Sequence, residues 1–158
     1  MGAAVKPIQP RIRRTHLAVF VRDPVASSEW YKDVLGMEET ARGEQWVFMS
    51  FGVKHHDIAL IRATPGAQRG GIGLQHYGLE IDGDIDELRR LYAMLQDKGV
   101  NVVKTTDHKV GFGVYFTDPD GNPFEFFCET VHDNEEGKRV LKQYNAPSDP
   151  FPLEPLRD

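Results

Sequence analysis

The sequence has little that would direct it out of the cell or into a membrane. Its single cysteine, Cys128, cannot form an internal disulfide, which fits a reducing compartment. No run approaches the roughly 20 apolar residues that a membrane-spanning helix needs. Residues 1–14 contain no apolar segment of signal-peptide length, and two prolines there argue against an amphipathic transit helix. We therefore predict a cytoplasmic protein with no membrane partner.

An excess of positive charge is also missing. The net charge is −5, so a nucleic-acid partner or an anionic membrane surface is disfavoured. Hydrophobic residues make up 40% and charged residues 27% of the chain, which is typical of a globular protein rather than a disordered one. A chain of 158 residues is long enough for one domain with a hydrophobic core.

What the chain does have is a pattern of strands and helices that occurs twice. In the first copy, the β-branched and aromatic stretch 14–21 predicts a strand, and 23–36 predicts a helix. Asp23 suits the N-cap of this helix, Pro24 its first position and Gly36 its end. Two further strands are predicted over 43–52 and 55–63.

The second copy begins after a glycine-rich linker, residues 64–73. A strand is predicted over 74–81 and a helix over 82–99, where Asp84 and Glu87 have capping-box spacing. Three short strands follow, with the turn "DPDGN" at 118–122 between the last two. We therefore predict an α+β fold with an internal duplication, followed by a short helix and an extended tail over 131–158.

Three residues on separate predicted strands are candidate metal ligands. His16 and His76 are 60 residues apart, at matching places in the two copies. Glu125 stands between phenylalanines in "PFEFF". Strand side chains alternate between faces, so each strand would present one polar ligand opposite an apolar face. Two histidines and one carboxylate form the facial triad of non-haem Fe(II) oxygenases, which leaves coordination positions open.

The residues alone leave a plainer interpretation open. A single strand histidine is more often a surface residue or a hydrogen-bonded core residue than a ligand. An unpaired carboxylate among phenylalanines would be costly, and this favours the metal interpretation for Glu125. Glu80 lies about 13 Å along the strand from His76, too far to share its ion, and we interpret it as a rim residue.

These motifs resemble the vicinal oxygen chelate superfamily, which includes glyoxalase I, bleomycin-resistance proteins and type I extradiol dioxygenases. The resemblance rests on the two strand histidines, the turn "YFTDPDGNPFEFF" and the duplication, and it covers residues 12–130. It implies two tandem βαβββ modules, 12–63 and 72–130, that form a curved, half-open mixed sheet around a metal site. Tails would occupy residues 1–11 and 131–158.

Further residues resemble the extradiol pattern in particular. "HHDIAL" is similar to the strand in which a histidine stands beside the iron, and His56 matches that histidine. His108 matches a second active-site histidine, and Tyr115 matches the tyrosine ten residues before the carboxylate ligand. The resemblance implies Fe(II), with Mn(II) as the alternative, on His16, His76 and Glu125. The substrates would be a catechol-type aromatic diol and O2, and the protein would be a homodimer.

Two other functions stay open at this point. A metal-dependent isomerase or lyase of the glyoxalase type usually takes a fourth ligand from the last strand of the first copy, where Asp57 is the only carboxylate. A small-molecule-binding protein of the resistance type usually needs no metal triad. Whether His55 or His56 faces the metal depends on the strand register. The well-known extradiol enzymes are also about twice this length.

Overall fold

The computed structural model describes residues 10–158, so residues 1–9 of the predicted N-terminal tail lie outside the described residues. The described chain divides into two compact units, residues 10–32 with 36–63 and residues 33–35 with 64–158. No helix in this part of the chain is long and apolar enough to cross a membrane.

The first module has one helix and a mixed sheet of four strands. The strands are ordered β1-β4-β3-β2; β1 and β4 are parallel and the other pairs are antiparallel. The elements are β1 (Leu17–Val21), α1 (Pro24–Leu35), β2 (Glu38–Arg42), β3 (Trp46–Ser50) and β4 (Ile58–Arg62).

Helix α1 begins and ends where its sequence predicts. The Asp23 carboxylate accepts hydrogen bonds from the N–H groups of Val25 at 3.0 Å and Ala26 at 3.2 Å, which satisfies two of the free donors of the first turn. Gly36 ends the helix in the left-handed conformation at φ 66°, which glycine adopts without steric cost.

The second module repeats this arrangement and extends it. Its strands are ordered β5-β8-β7-β6-β9, again with one parallel pair, β5 with β8, and antiparallel neighbours beyond it. Helix α2 packs on β7 and β8. The elements are β5 (Tyr77–Glu80), α2 (Ile85–Asp97), β6 (Val102–Asp107), β7 (Gly111–Thr117), β8 (Pro123–Glu129), α3 (Asn134–Gln143) and β9 (Asp149–Pro150).

The C-terminal segment is fastened to the second module. Strand β9 pairs with β6, and the Thr105 hydroxyl donates to the Phe151 carbonyl. Leu153 is buried, and the Arg89 side chain donates to the Glu154 carbonyl at 2.8 Å. Apolar burial and backbone pairing together hold the tail against this unit.

The module boundaries predicted at residues 12, 63, 72 and 130 stay predictions.

The predicted fold class, α+β with two βαβββ modules, is confirmed. Hydrogen bonding divides the strands into two open mixed sheets, one in each module. Strand β2 was missed because its side chains are mostly exposed, so it has no apolar pattern. Strands β1, β4 and β5 begin after the histidines that the sequence placed inside them.

The turn between β7 and β8 is organised by a buried carboxylate. Asp118 accepts from the N–H groups of Asp120 at 2.9 Å and Asn122 at 2.8 Å, and from the Asn122 amide at 2.8 Å. The amide oxygen of Asn122 in turn accepts from Arg69 of the linker at 2.7 Å. This network explains the "DPDGN" sequence and fixes the start of β8, which carries Glu125.

Replacing Asp118 by alanine is expected to lower the free energy of unfolding by about 2–3 kcal/mol, because three donors lose a charged acceptor. Urea denaturation measures the change. Asp82→Ala, at an exposed position, is the control and should change stability by less than about 0.5 kcal/mol. Equal stabilities for the two variants would contradict this account of the turn.

Candidate active site

Glu125 lies in the middle of β8 with its side chain inside the second module. Only 6% of the surface of Glu125 is exposed to solvent. The sheet register places it between Gly78 of β5 and Tyr115 of β7. A carboxylate at such a depth needs partners, because its desolvation would otherwise cost several kcal/mol.

Two histidines supply those partners. Nε2 of His76, just before β5, lies 3.1 Å from Oε2 of Glu125. Nε2 of His108, just after β6, lies 3.3 Å from Oε1. Each carboxylate oxygen therefore faces one imidazole nitrogen, and the sheet brings together three residues that are far apart in the sequence.

Two glycines make room for the carboxylate. A Cβ atom at Gly113 would lie 2.2 Å from Oε1 of Glu125 and 3.1 Å from Oγ1 of Thr106. A Cβ atom at Gly78 would lie 3.5 Å from Oε2. Any side chain at residue 113 would therefore displace Glu125. The sequence analysis missed this role, although a glycine inside a strand signals a close approach.

The His76 ring has a hydrogen-bond partner on the side away from Glu125. Nδ1 of His76 lies 2.7 Å from the amide oxygen of Gln75, which accepts a hydrogen bond when Nδ1 carries the proton. Nε2 then faces a carboxylate and needs either a second proton or a cation. A metal-binding histidine characteristically donates its other ring N–H in this way.

Tyr115 stands beside the same carboxylate. Its hydroxyl lies 3.0 Å from Nε2 of His108. Burial and the neighbouring Glu125 carboxylate raise the pKa of Tyr115 to about 12, so the phenol keeps its proton at neutral pH and can donate it. Thr106, also buried, places its hydroxyl 2.9 Å from the same histidine nitrogen.

A pocket of about 310 Å³ opens onto this group. Apolar side chains form most of its wall, and its polar groups include His76, His108, Tyr115 and Glu125, an arrangement typical of small-molecule sites. Part of the wall comes from α3 and the tail. The lining residues are His76, His108, Val110, Gly111, Phe112, Tyr115, Glu125, Phe127, Cys128, Glu129, Leu141, Ala146 and Pro147.

In the first module, two of the predicted residues also meet. The rings of His16 and His56 have centroids 4.9 Å apart. The His56 ring stacks on Phe48 at 4.4 Å, and Phe48 contacts Trp46 at 4.4 Å. His55 is exposed and its ring contacts His56. The structure therefore places His56 next to His16, and which of His55 and His56 faces a metal stays a prediction.

The loop that carries His56 is fixed through its backbone. Arg14 donates to the His56 carbonyl, and Thr40 donates to the His55 carbonyl. Arg14 also pairs with Asp57 at 3.2 Å. Desolvation, the two neighbouring histidines and Arg14 together lower the pKa of His56 below its ordinary 6.5, so the ring is neutral at pH 7.

Asp57 has structural partners of its own. Its Oδ2 accepts from the Phe51 N–H at 2.9 Å, while Oδ1 faces Arg14. Desolvation acts to raise the pKa of Asp57, but these two donors outweigh it and lower the pKa below 3.8. The carboxylate is therefore ionised and occupied at neutral pH.

The duplicated register also shows what stands in the first module where Glu125 stands in the second. Leu17 pairs with Ile58 in the first module, and Tyr77 pairs with Phe124 in the second. The residue after Phe124 is Glu125, and the residue after Ile58 is the buried Ala59. The first module thus offers no carboxylate at the equivalent position.

The six predicted residues therefore form two groups. His76, His108, Tyr115 and Glu125 meet in the second module, and His16 and His56 meet in the first. The predicted triad takes ligands from both modules. Across residues 10–158, no three His, Cys, Asp or Glu side chains are arranged to hold a metal ion, so the metal centre stays a prediction.

Comparison with known proteins shows three informative similarities. Biphenyl-2,3-diol 1,2-dioxygenase 3 of Rhodococcus globerulus is 27% identical over 82% of this chain and 68% of its own length. Biphenyl-2,3-diol 1,2-dioxygenase 2 of the same organism is 32% identical over 69% of this chain and 56% of its own length.

A solved structure extends the similarity to the fold. The fosfomycin resistance protein FosX of Listeria monocytogenes, complexed with Mn(II) and sulfate, matches with a TM-score of 0.63 at 18% identity, over 84% of this chain and 97% of that one. Residues 13–126 match the family described as the Glyoxalase/Bleomycin resistance protein/Dioxygenase superfamily. This chain therefore belongs to that superfamily.

Proposed function

We propose that the protein is a non-haem Fe(II)-dependent extradiol dioxygenase, which cleaves the ring of a catechol-type substrate with O2. The observation that carries the proposal is the buried Glu125 carboxylate, which meets His76 and His108 and has the Tyr115 phenol beside it. This set combines candidate ligands with groups that can hold and donate protons at a substrate oxygen.

The relatives support an aromatic diol as the substrate. Two of them carry the name biphenyl-2,3-diol 1,2-dioxygenase, although the chain spans only 68% and 56% of their lengths. The pocket in the second module has mostly apolar walls, which suit an aromatic ring.

The donor atoms fit a divalent metal. Adjacent ligand atoms of an ion with bonds of about 2.1 Å lie about 3 Å apart. Nε2 of His76 and Oε2 of Glu125 lie 3.1 Å apart. We propose His16 as the third ligand, and its imidazole completes a set that suits Fe(II) or Mn(II). The bound metal would supply open positions for a chelating diol and for dioxygen.

The remaining residues would move and hold protons. His56, neutral at pH 7, accepts a proton from a substrate hydroxyl and later returns one to a product oxygen. The Tyr115 phenol donates a hydrogen bond to developing negative charge on a substrate oxygen. His108 orients that phenol through its Nε2 contact.

The glyoxalase-type alternative needs a fourth ligand that the first module does not offer. Ala59 occupies the position equivalent to Glu125, and Asp57 is bound by Arg14 and Phe51. These observations favour an open site with three ligands.

We further propose that the protein acts in the cytoplasm and forms a homodimer.

The proposal predicts ring cleavage by the ferrous protein. After anaerobic reconstitution with Fe(II), the protein should turn over one of a series of catechols, including biphenyl-2,3-diol, in air, with uptake of one O2 per yellow semialdehyde product. Absorbance and an oxygen electrode measure the two quantities. Metal analysis of the protein purified anaerobically, before reconstitution, separates the alternatives: zinc or nickel, with no oxygen uptake by the ferrous protein, would instead support the isomerase, and no bound metal would support a binding protein.

Replacing Gly113 by alanine should weaken metal binding about 10–100-fold, because the new Cβ displaces Oε1 of Glu125. Anaerobic titration calorimetry with Fe(II) measures the affinity. Gly137→Ala is the control, since nothing lies within 4 Å of a Cβ there. It should keep the affinity and stabilise α3 by about 0.5–1 kcal/mol. Equal metal affinities in the two variants would contradict the proposal that Glu125 is a metal ligand.

Replacing His56 by glutamine should lower kcat about 10²–10⁴-fold, since the proton carrier is lost, while leaving metal content unchanged. His55→Gln is the matched control and should stay within a few-fold of the unmodified protein. Steady-state kinetics with parallel iron analysis separates the two effects. A larger loss in His55→Gln than in His56→Gln would reverse the assignment.

A further inference from the structure

A second carboxylate lines the pocket of the second module. Glu129 ends β8, four residues beyond Glu125, and both residues line the same pocket. Strand side chains alternate between faces, so Glu125, Phe127 and Glu129 lie on one face of the sheet. Because each residue advances a strand by about 3.3 Å, the two glutamates are about 13 Å apart along β8. The pocket therefore extends from Glu125 past Phe127 to Glu129.

The neighbouring strand leaves space beside this second carboxylate. The β7–β8 register sets three pairs on this face: Tyr115 with Glu125, Gly113 with Phe127 and Gly111 with Glu129. Neither glycine has a side chain that could fill the space next to its partner. A Cβ atom at Gly111 would collide with the Cys128 carbonyl oxygen. A larger residue is therefore excluded there, and the space beside Glu129 stays open.

The charged side chains that line this pocket are all negative. Among residues 10–158, those that line it include Glu125 and Glu129 and no Lys or Arg. Glu125 is buried and has the two histidines as partners. Glu129 is exposed, and its carboxylate has no hydrogen bond or ion pair with another residue of the described chain. A ligand that brings a positive group to Glu129 gains an ion pair without breaking an existing one.

An organic cation fits this position better than a metal ion does. A divalent metal ion needs several ligand atoms, and the neighbours of Glu129 on this face, Gly111 and Phe127, have no polar side chain. An ammonium group needs only the one carboxylate. The apolar walls, which include Phe127 and Leu141, then suit the carbon skeleton that carries the ammonium group.

We propose that Glu129 is a specificity-determining residue, and that the preferred substrate is a catechol with a cationic amine on its side chain. This inference rests on the proposed function for the position of the diol at Glu125. The aromatic ring lies against Phe127, and the ammonium group donates to the Glu129 carboxylate. A neutral diol offers this carboxylate no cation, and a catechol with an acidic side chain brings two negative charges together.

Three catechols that differ in side-chain charge test the proposal without turnover. They carry an aminoethyl, a propyl or a carboxymethyl group at ring position 4. Anaerobic titration calorimetry of the Fe(II)-loaded full-length protein, freed of unbound iron, measures their dissociation constants. The aminoethyl probe should bind about 5–10-fold more tightly than the propyl probe, and the carboxymethyl probe more weakly than either. Saturation-transfer NMR of the metal-free protein should give the same order.

Charge variants test Glu129 itself. In Glu129→Gln, the aminoethyl and propyl probes should bind equally within about twofold, because the charge is lost while the side-chain size is kept. Glu129→Lys should reverse the order, so that the carboxymethyl probe binds more tightly than the aminoethyl probe. Glu154→Gln is the matched control, since Glu154 is exposed and does not line the pocket. It should keep the order of the unmodified protein.

Equal affinities of the aminoethyl and propyl probes for the unmodified protein would overturn the proposal. No measurable binding of the aminoethyl probe, or an amine preference that Glu129→Gln retains, would overturn it as well. The proposed function fails separately: if the aminoethyl probe binds through Glu129 but no catechol is cleaved in air, the amine site stands without the dioxygenase. If catechols are cleaved with no dependence on side-chain charge, the dioxygenase stands without this role for Glu129.

Discussion

The structure of the second module depends on a buried carboxylate in a strand that is otherwise apolar. Glu125 is flanked by Phe124 and Phe126, and all three are nearly inaccessible to solvent. Such a group is stable only with partners on each oxygen, and His76 and His108 provide them. Gly113 leaves the volume that the carboxylate fills. The buried carboxylate, its two histidine partners and the glycine therefore depend on one another, because the carboxylate would be costly to bury without the other three.

The duplication allows the two modules to be compared position by position. Both modules pair their strands in the same order, so equivalent positions can be compared directly. The second module has Glu125 where the first has Ala59, and the first has His56 close to His16, which precedes β1. In the proposed function the two halves would have different roles: the second would supply the carboxylate, and the first would supply an imidazole that carries a proton.

The sequence was sufficient for features that depend on local rules. The caps of α1 and α2, the "DPDGN" turn and the repeat could all be predicted, because capping, turn chemistry and periodicity act within a few residues. Strand β2 could not, because an exposed strand without alternation has no apolar signal.

Prediction of the site from the sequence had a similar limit. The ligand and acid–base candidates have recognisable chemistry and sit in recognisable motifs. Gly113 makes room for the Glu125 carboxylate because it has no side chain. Pro147 contacts His108 through its backbone carbonyl. Both contacts become visible only once distant strands are paired. Pro147 is 39 residues from His108, in a segment for which the sequence predicts only a short helix and an extended tail.

The central claim is that one metal ion is bound by His16, His76 and Glu125. A crystal structure of the Fe(II)-loaded protein, grown anaerobically and measured at the iron absorption edge, tests it most directly. The account predicts one anomalous peak within about 2.3 Å of an imidazole nitrogen from each histidine and a carboxylate oxygen of Glu125. Iron bound elsewhere, or bound without one of these three side chains, would contradict it.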